Sequence, residues 1–428
     1  MTQTLDALRR GDLAGARELR LREGLTEFPR EILGLADTLE VLDLSGAALT
    51  ALPEDLGRLS KLRVLFCSGN RFERLPPVLG DCAALSQVGF RGCGVWEIPA
   101  EALPPALRWL TLTDNAIEVL PAALGERPLL QKLMLAGNRL AALPESLAGH
   151  ERLELLRLAA NRLETLPAWL ADMPSLAWLA WAGNPFDHGA PAASPSIPWS
   201  ALELGRRLGE GASGHIHHAL WADGAETRPV ALKLFKGEMT SDGLPEREMA
   251  ACLAAGVHAN LTGALGRLVD HPEQAQGLLM PLLPADWRVL AGPPSLETCS
   301  RDVYAPGLRL DLDVALRIAR DIGIGAAHLH AGGLSHGDLY AHNTLWDGRT
   351  GAAVLSDFGA ASFLPDGPGD GLARLDVLAW GRLLGELLEL VDGPAPSSVE
   401  ALLADCLSPD VRTRPDLAHA VDVLAEAT

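Results

Sequence analysis

Lysine is nearly absent from this 428-residue chain: of 36 basic residues only Lys61, Lys132, Lys233 and Lys236 are lysines. Arginine stands almost everywhere else, so a surviving lysine raises the question of what a guanidinium could not do there. Basic residues are also outnumbered by acidic ones, giving a formal charge of −19. That balance argues against a nucleic-acid partner, because phosphate contact needs clustered Lys and Arg. No apolar run reaches the roughly 18–20 residues that cross a bilayer. The opening residues, Met1 to Leu21, carry charge throughout and lack the apolar core of a signal peptide. The six cysteines have neither CxxC spacing nor the density of a disulfide scaffold, so reduced thiols in a cytoplasmic setting are expected. A hydrophobic content of 48% excludes disorder as the dominant state, and the length predicts two or three domains.

What the chain has instead is a period. A Leu-x-x-Leu-x-Leu segment begins at Leu39 and recurs with its leading Leu at 62, 85, 107, 130, 153 and 176, spacings of 22 or 23 residues. An apolar-Pro step keeps the same phase, from Phe28-Pro29 to Leu166-Pro167. So does a column reading Ala47, Asn70, Cys93, Asn115, Asn138, Asn161 and Asn184. Alternating leucines of a short strand point into one shared core, which no single turn can close and which neighbouring turns close for each other. An Asn at the bend satisfies backbone groups there, and Pro fixes the return path. The pattern resembles the leucine-rich repeat family in its 23-residue form and implies a curved α/β solenoid over residues 1–186, a degenerate cap plus about seven repeats. That family binds partners on its strand face. On that face Phe66, Trp109, Met134, Leu155 and Trp178 are large and apolar, which is expected to make a docking surface for a protein. The alternative is that the second half of the chain folds back and covers them.

Residues 187–199 are rich in Pro, Ala and Ser and read as a short, semi-stiff spacer. The period is gone in residues 200–428, where strands give way to long helices in an α+β pattern. Gly209, Gly211 and Gly214 lie in a strand–turn–strand setting that allows a backbone to approach phosphates closely, without the following helix a dinucleotide fold requires. Lys233 follows on the apolar strand Val230-Ala231-Leu232, where an ammonium suits a phosphate pair. An acid should hold it. Glu246 and Glu248 are the candidates, and Glu248 is preferred for its distance before His258. Further on, Asp338, Asn343 and Asp357 supply the carboxylate and amide oxygens that a hard cation such as Mg²⁺ prefers.

These segments, in this order, resemble the protein kinase family over about residues 200–425. The resemblance implies a bilobal domain that uses ATP and Mg²⁺. By it, Gly209, Gly211 and Gly214 cover the nucleotide, Ile216 and Ala231 sandwich the adenine, and Met280 precedes a hinge containing Leu282. Lys233 binds phosphates and pairs with Glu248, Asp338 serves the acceptor hydroxyl, and Asn343 and Asp357 hold the metal. The implied activity is phosphoryl transfer to Ser or Thr of a protein recruited by the solenoid, with autophosphorylation included.

Four departures from the family pattern weigh against a conventional protein substrate. Gly337 stands where the family places Arg, and Tyr340 where it places Lys. Only nineteen residues separate Asp357 from Asp376, with no Ala-Pro-Glu between them, so the activation segment is short and Arg414 lacks its usual Glu. The region after Leu390 is short as well. A nucleotide-binding scaffold without catalysis is one alternative, and a small-molecule phosphotransferase resembling aminoglycoside and choline kinases, which use a similar His-Gly-Asp loop, is the other.

Overall fold

The computed structural model describes residues 4–21, 24–189, 194–365 and 369–427, without the side chains of residues 369–370. The chain divides into two compact units, Met1–Pro167 and Ala168–Thr428.

In the first unit, helix α1 (Leu5–Arg9) starts at Thr4, whose hydroxyl accepts the Ala7 N–H at 3.2 Å. Each repeat then contributes one three-residue strand: β1 (Glu18–Arg20), β2 (Val41–Asp43), β3 (Val64–Phe66), β4 (Gln87–Gly89), β5 (Trp109–Thr111), β6 (Lys132–Met134) and β7 (Leu155–Arg157). They pair in parallel, one repeat to the next, with Leu42 opposite Leu65 and Leu110 opposite Leu133. The leading leucines 39, 62, 85, 107, 130 and 153 are fully buried. Pro29, Pro76, Pro99, Pro121 and Pro144 each open a short 3-10 segment, where the lost N–H would have had no partner. The Asn column forms a buried ladder. Asn138 Oδ1 accepts the Ile117 N–H at 3.1 Å, while its Nδ2 donates to the carbonyls of Leu112 and Leu135 at 2.9 and 3.0 Å. Where Cys93 replaces Asn, its thiol donates to the Cys67 carbonyl at 3.1 Å.

The last repeat strand, β8 (Trp178–Ala180), belongs to the second unit, so the compact division falls one turn before the sequence period ends. The stretch 187–199 also holds more structure than a spacer would. Its end forms β9 (Ser196–Pro198), which pairs in parallel with β13 (Gly266–Val269). That pair completes a six-stranded sheet with β10 (Leu202–Glu210), β11 (Gly214–Asp223), β12 (Glu226–Phe235) and β14 (Gly277–Pro281), ordered β10-β11-β12-β14-β13-β9. Ile197 of β9 joins Ala219, Val230, Leu232, Leu268 and Leu279 in the sheet's core, which explains why an apolar residue stands among the prolines. Helix α2 (Pro245–Ala255) follows β12 in the chain.

The helical part contains α3 (Leu312–Ala331), α4 (Gly369–Glu389), α5 (Ser397–Cys406) and α6 (Leu417–Ala427). The strands β15 (Arg288–Val289), β17 (Thr344–Trp346) and β18 (Ala353–Leu355) form one small sheet, and β16 (Leu334–Ser335) with β19 (Ser362–Phe363) another. The long amphipathic α3 is buried along Ala315, Leu316, Ile318, Ala319, Ile322 and Ala326, and its Ala319 carbonyl accepts the buried Trp380 indole N–H at 2.8 Å. No helix among the described residues is long and apolar enough to cross a membrane.

The Asn ladder gives a direct test. Asn138→Ala strands one N–H and two carbonyls in a dry interior, so it should cost about 3 kcal/mol of stability. Urea unfolding of the full chain followed by circular dichroism measures this, and a loss below the noise would show that the ladder is filled by water instead.

Candidate active site

One cavity of about 350 Å³ gathers most of the residues singled out from the sequence. Its lining includes Gly211, Ile216, Ala231, Lys233, Glu248, Met280, Leu282, Asn343 and Asp357. Strand pairing explains much of this. Lys233 lies opposite Ile216 on one side and Leu278 on the other, and Ala231 lies opposite Met280. Residues of one sheet face are thereby brought beside the hinge Pro281–Leu283. Of the three glycines only Gly211 lines the cavity. Gly209 sits at the end of β10, and Gly214 starts β11, where a Cβ would come within 2.5 Å of the Leu234 carbonyl.

Lys233, half-buried, forms an ion pair with buried Glu248, whereas Glu246 is exposed. Burial works against the Lys233 charge, but the carboxylates of Glu248 and Asp357 hold its pKa above the ordinary value, so the ammonium persists at neutral pH. Cys252, one turn further along α2, also lines the cavity, and burial pushes its thiol pKa far up.

The loop after β16 is pinned by Asp376 of α4. Its carboxylate accepts the His336 N–H at 2.8 Å, the Gly337 N–H at 3.0 Å and the Ser335 hydroxyl at 2.9 Å. It also accepts His330 Nε2–H at 3.0 Å. Burial alone would raise the pKa of Asp376, but the His330 hydrogen bond and the loop amides hold it below the ordinary range. His336 is buried, which lowers its pKa and keeps it neutral. Its Nε2–H then donates to the Ser356 carbonyl at 3.2 Å while Nδ1 accepts the Asp338 N–H at 3.3 Å. The Asp338 carboxylate is partly exposed and accepts Asn343 Nδ2–H at 2.7 Å. That contact leaves the Asn343 Oδ1 as the atom suited to a cation. Asp357 is exposed toward the cavity at φ +63°, and its Oδ1 accepts the Gly359 N–H at 3.0 Å. Phe358 beside it is buried against the His336 ring.

Two residues of the site gave no sequence signal. Asp302, buried in an irregular segment, accepts both the His342 backbone N–H at 2.8 Å and its Nδ1–H at 2.7 Å. Burial opposes the His342 charge, but Asp302 and the carboxylates of Asp338 and Asp357 hold its pKa above the ordinary range. His342 lines the cavity. Forty residues of chain, including the whole of α3, separate the partners, so no spacing rule connects them.

The residues expected on an open strand face divide. Phe66 and Trp109 are half-buried and meet edge to face at 6.3 Å, and Lys132 Nζ lies 4.2 Å over the Trp109 ring. Met134 and Leu155 are buried. Trp178 is only 1% exposed. Its ring stacks on Tyr340 at 4.2 Å and 8°, and its indole N–H donates to the Leu339 carbonyl at 3.0 Å. The expectation that Trp178 receives a partner is therefore corrected: the loop that carries Asp338 covers it.

The same turn accounts for two departures noted in the sequence. Gly337 has φ +68°, and a Cβ there would lie 2.5 Å from the Leu179 carbonyl, so no arginine fits. Buried Arg414, without a Glu, donates instead to the carbonyls of Pro174 at 2.7 Å and Ser408 at 2.9 Å.

A Lys–Glu pair, an Asp–Asn pair and a second Asp around one cleft, in a chain that also carries a repeat array, define a protein kinase domain joined to leucine-rich repeats. Comparison with known proteins agrees. Residues 202–367 match the family "Protein tyrosine and serine/threonine kinase" and residues 128–186 match "Leucine rich repeat". The chain carries both. It is 28% identical over 177 residues to a probable serine/threonine-protein kinase of Encephalitozoon cuniculi, covering 41% of this chain and 30% of that protein. It is 28% identical over 169 residues to kinase suppressor of Ras 2 of Homo sapiens, covering 39% and 16%. It is 37% identical over 117 residues to leucine-rich repeat-containing protein 58 of Mus musculus, covering 26% and 28%. The matched segments thus span less than a third of the length of these relatives.

Restoring the family's arginine should fail. Gly337→Arg places a side chain into the Leu179 carbonyl at a left-handed backbone position, a strain of about 1–3 kcal/mol before the overlap is counted. A fall in the thermal midpoint of Gly337→Arg is expected, and an unchanged midpoint would show that the loop can move away from residue 179.

Proposed function

We propose that the protein is an ATP- and Mg²⁺-dependent protein kinase directed at Ser or Thr, with the repeat array recruiting the partner or substrate. The observation that carries this reading is that Lys233, paired with Glu248, shares one cavity with Asn343 and Asp357. The cavity suits a nucleotide. Leu208, Ala231 and Leu345 give apolar walls for a base, the hinge offers backbone groups, and Lys233 is the ammonium for phosphates. The side of the backbone where a Cβ would stand at Gly209 or Gly211 is open, with nothing within 4 Å of that position.

ATP would supply the phosphoryl group and Mg²⁺ the neutralisation of its charge. The chain's own residues do the rest. Lys233 binds and orients the phosphates, its ammonium held by Glu248. Asn343 Oδ1 and the Asp357 carboxylate hold the cation. Asp338 orients the acceptor hydroxyl and takes its proton, with Asn343 Nδ2–H fixing the carboxylate. Phe66 and Trp109, the half-buried aromatics of the strand face, are the recruitment surface we assign. With reduced cysteines and no candidate membrane span among the described residues, a cytoplasmic site of action fits best.

A second reading has an observation in its favour. Tyr340, where kinases place a lysine, is covered by Trp178, so no cation stands two residues after Asp338, and a nucleotide-binding scaffold would need none. Transfer of labelled phosphate from Mg·ATP to a generic basic protein or to the chain itself should be measurable. Asp338→Asn should lower it at least about a hundredfold, the range of a lost acid–base group, without weakening nucleotide binding. Binding without transfer in the unaltered protein would give the scaffold reading. A third test concerns recruitment. In a pull-down, Phe66→Ala with Trp109→Ala should weaken capture of partners about tenfold or more at unchanged ATP affinity, and equal capture would remove the strand face from the proposal.

A further inference from the structure

Residues 178–187, the end of the repeat array, touch all three parts of the site that a kinase must align. Trp178 holds the loop of Asp338 through the Tyr340 stack and the Leu339 carbonyl. Trp181 holds the segment after Gly359: its backbone N–H donates to the Ser362 hydroxyl and its indole N–H to the Phe363 carbonyl, both at 3.1 Å. Gly189 continues that contact, lying so close to the Phe363 ring that a Cβ would be 1.9 Å from it. The third contact reaches α2. Asp187, whose side chain is fully buried, accepts the Gly183 N–H at 2.7 Å and lies 3.5 Å from the Arg247 guanidinium. Arg247 Nη2 also lies 3.4 Å from the Asp187 carbonyl. Arg247 is adjacent in α2 to Glu248, the partner of Lys233.

We propose that Asp187 and Arg247 are positioning residues, a latch by which the final repeat turn holds α2 so that Glu248 reaches Lys233. Kinases set this helix through the segment after the metal-binding Asp. In this chain that segment is short and is itself tied to Trp181, so the fixed point is the repeat turn. The carboxylate of Asp187 is suited to the task. It is dry and anchored by the Gly183 amide, so it cannot follow Arg247 if the helix swings away. Releasing Arg247 would free the amino-terminal turn of α2, rotate Glu248 from Lys233, and open the face that carries Cys252. The effect on turnover rests on the kinase reading, whereas the position of α2 does not.

Cys252 reports that position without any catalysis. Its thiol is buried at the cavity wall, four residues after Glu248 on the same helix face. The experiment is timed alkylation of the full-length native protein with N-ethylmaleimide, read cysteine by cysteine by peptide mass spectrometry. Arg247→Met, at a half-exposed position that should tolerate the change, is expected to speed labelling of Cys252 about tenfold while Cys67 and Cys406 label as in the unaltered protein. Arg247→Lys should restore slow labelling. Asp187→Asn should match Arg247→Met, and the double variant should go no further than either alone. Unchanged Cys252 labelling in Arg247→Met overturns the latch. So does faster labelling of all cysteines together, which would mark general loosening rather than release of α2. If the unaltered protein transfers no phosphate, the kinase reading fails while the labelling result still decides the latch.

Discussion

The stack of Trp178 on Tyr340 is the contact on which the architecture of the site depends. It joins the last turn of the repeat array to the residue two positions after Asp338, and it excludes water from both rings. Burying an indole of about 200 Å² contributes on the order of 5 kcal/mol, and Trp181 beside it is equally buried. The Asp187–Arg247 pair, a buried carboxylate with a half-exposed guanidinium, contributes less, about 1.5 kcal/mol. The comparison separates two roles. The tryptophans fix where the turn sits, and Arg247 with Asp187 only adjusts what the turn holds. The arrangement also answers the usual difficulty of a solenoid, whose terminal turn exposes an apolar end that must be covered. Here the end carries Trp178, Leu179 and Trp181, and all three are buried.

A site assembled this way behaves differently from one assembled by phosphorylation. A phosphate-controlled segment must be mobile in one state and tied down in the other. Ser362, the hydroxyl nearest after Gly359, is buried and accepts the Trp181 N–H, so it is already engaged. The stretch that leads into Asp338 is held from behind as well, by three hydrogen bonds from Ser335, His336 and Gly337 to Asp376.

How much of this was legible in the sequence depends on whether the signal was local or periodic. The Leu and Asn columns are visible because the same physical demand returns every 22 or 23 residues. Lys233 is visible because lysine is scarce and the strand around it is apolar. Asp338, Asn343 and Asp357 are visible by spacing, since one loop and one strand turn bring them together. Asp302 is invisible because it lies in an irregular stretch and its partner His342 is forty residues away, beyond the whole of α3. Trp178 was half legible: the strand phase put its ring on the outward face, but a period says which face a residue takes and not what covers that face. The spacer was misleading for a related reason, since Ile197 among prolines gave no periodicity although it enters a sheet core.

The departures of the kinase domain from its family, read one at a time, look like separate losses: no arginine at 337, no lysine at 340, no glutamate for Arg414. Their surroundings give them a common cause. The Leu179 carbonyl occupies the space that a side chain at 337 would need, the Trp178 ring covers Tyr340, and the Pro174 carbonyl takes a guanidinium N–H of Arg414. Residues of one repeat turn thus meet two positions of a single loop, 337 and 340, and a third, Arg414, that lies more than seventy residues further along the chain. A long activation segment with its own glutamate would compete for the same surface. The short segment and the fused repeat are therefore one structural substitution, and the charged groups that are missing are those whose places the repeat turn has filled.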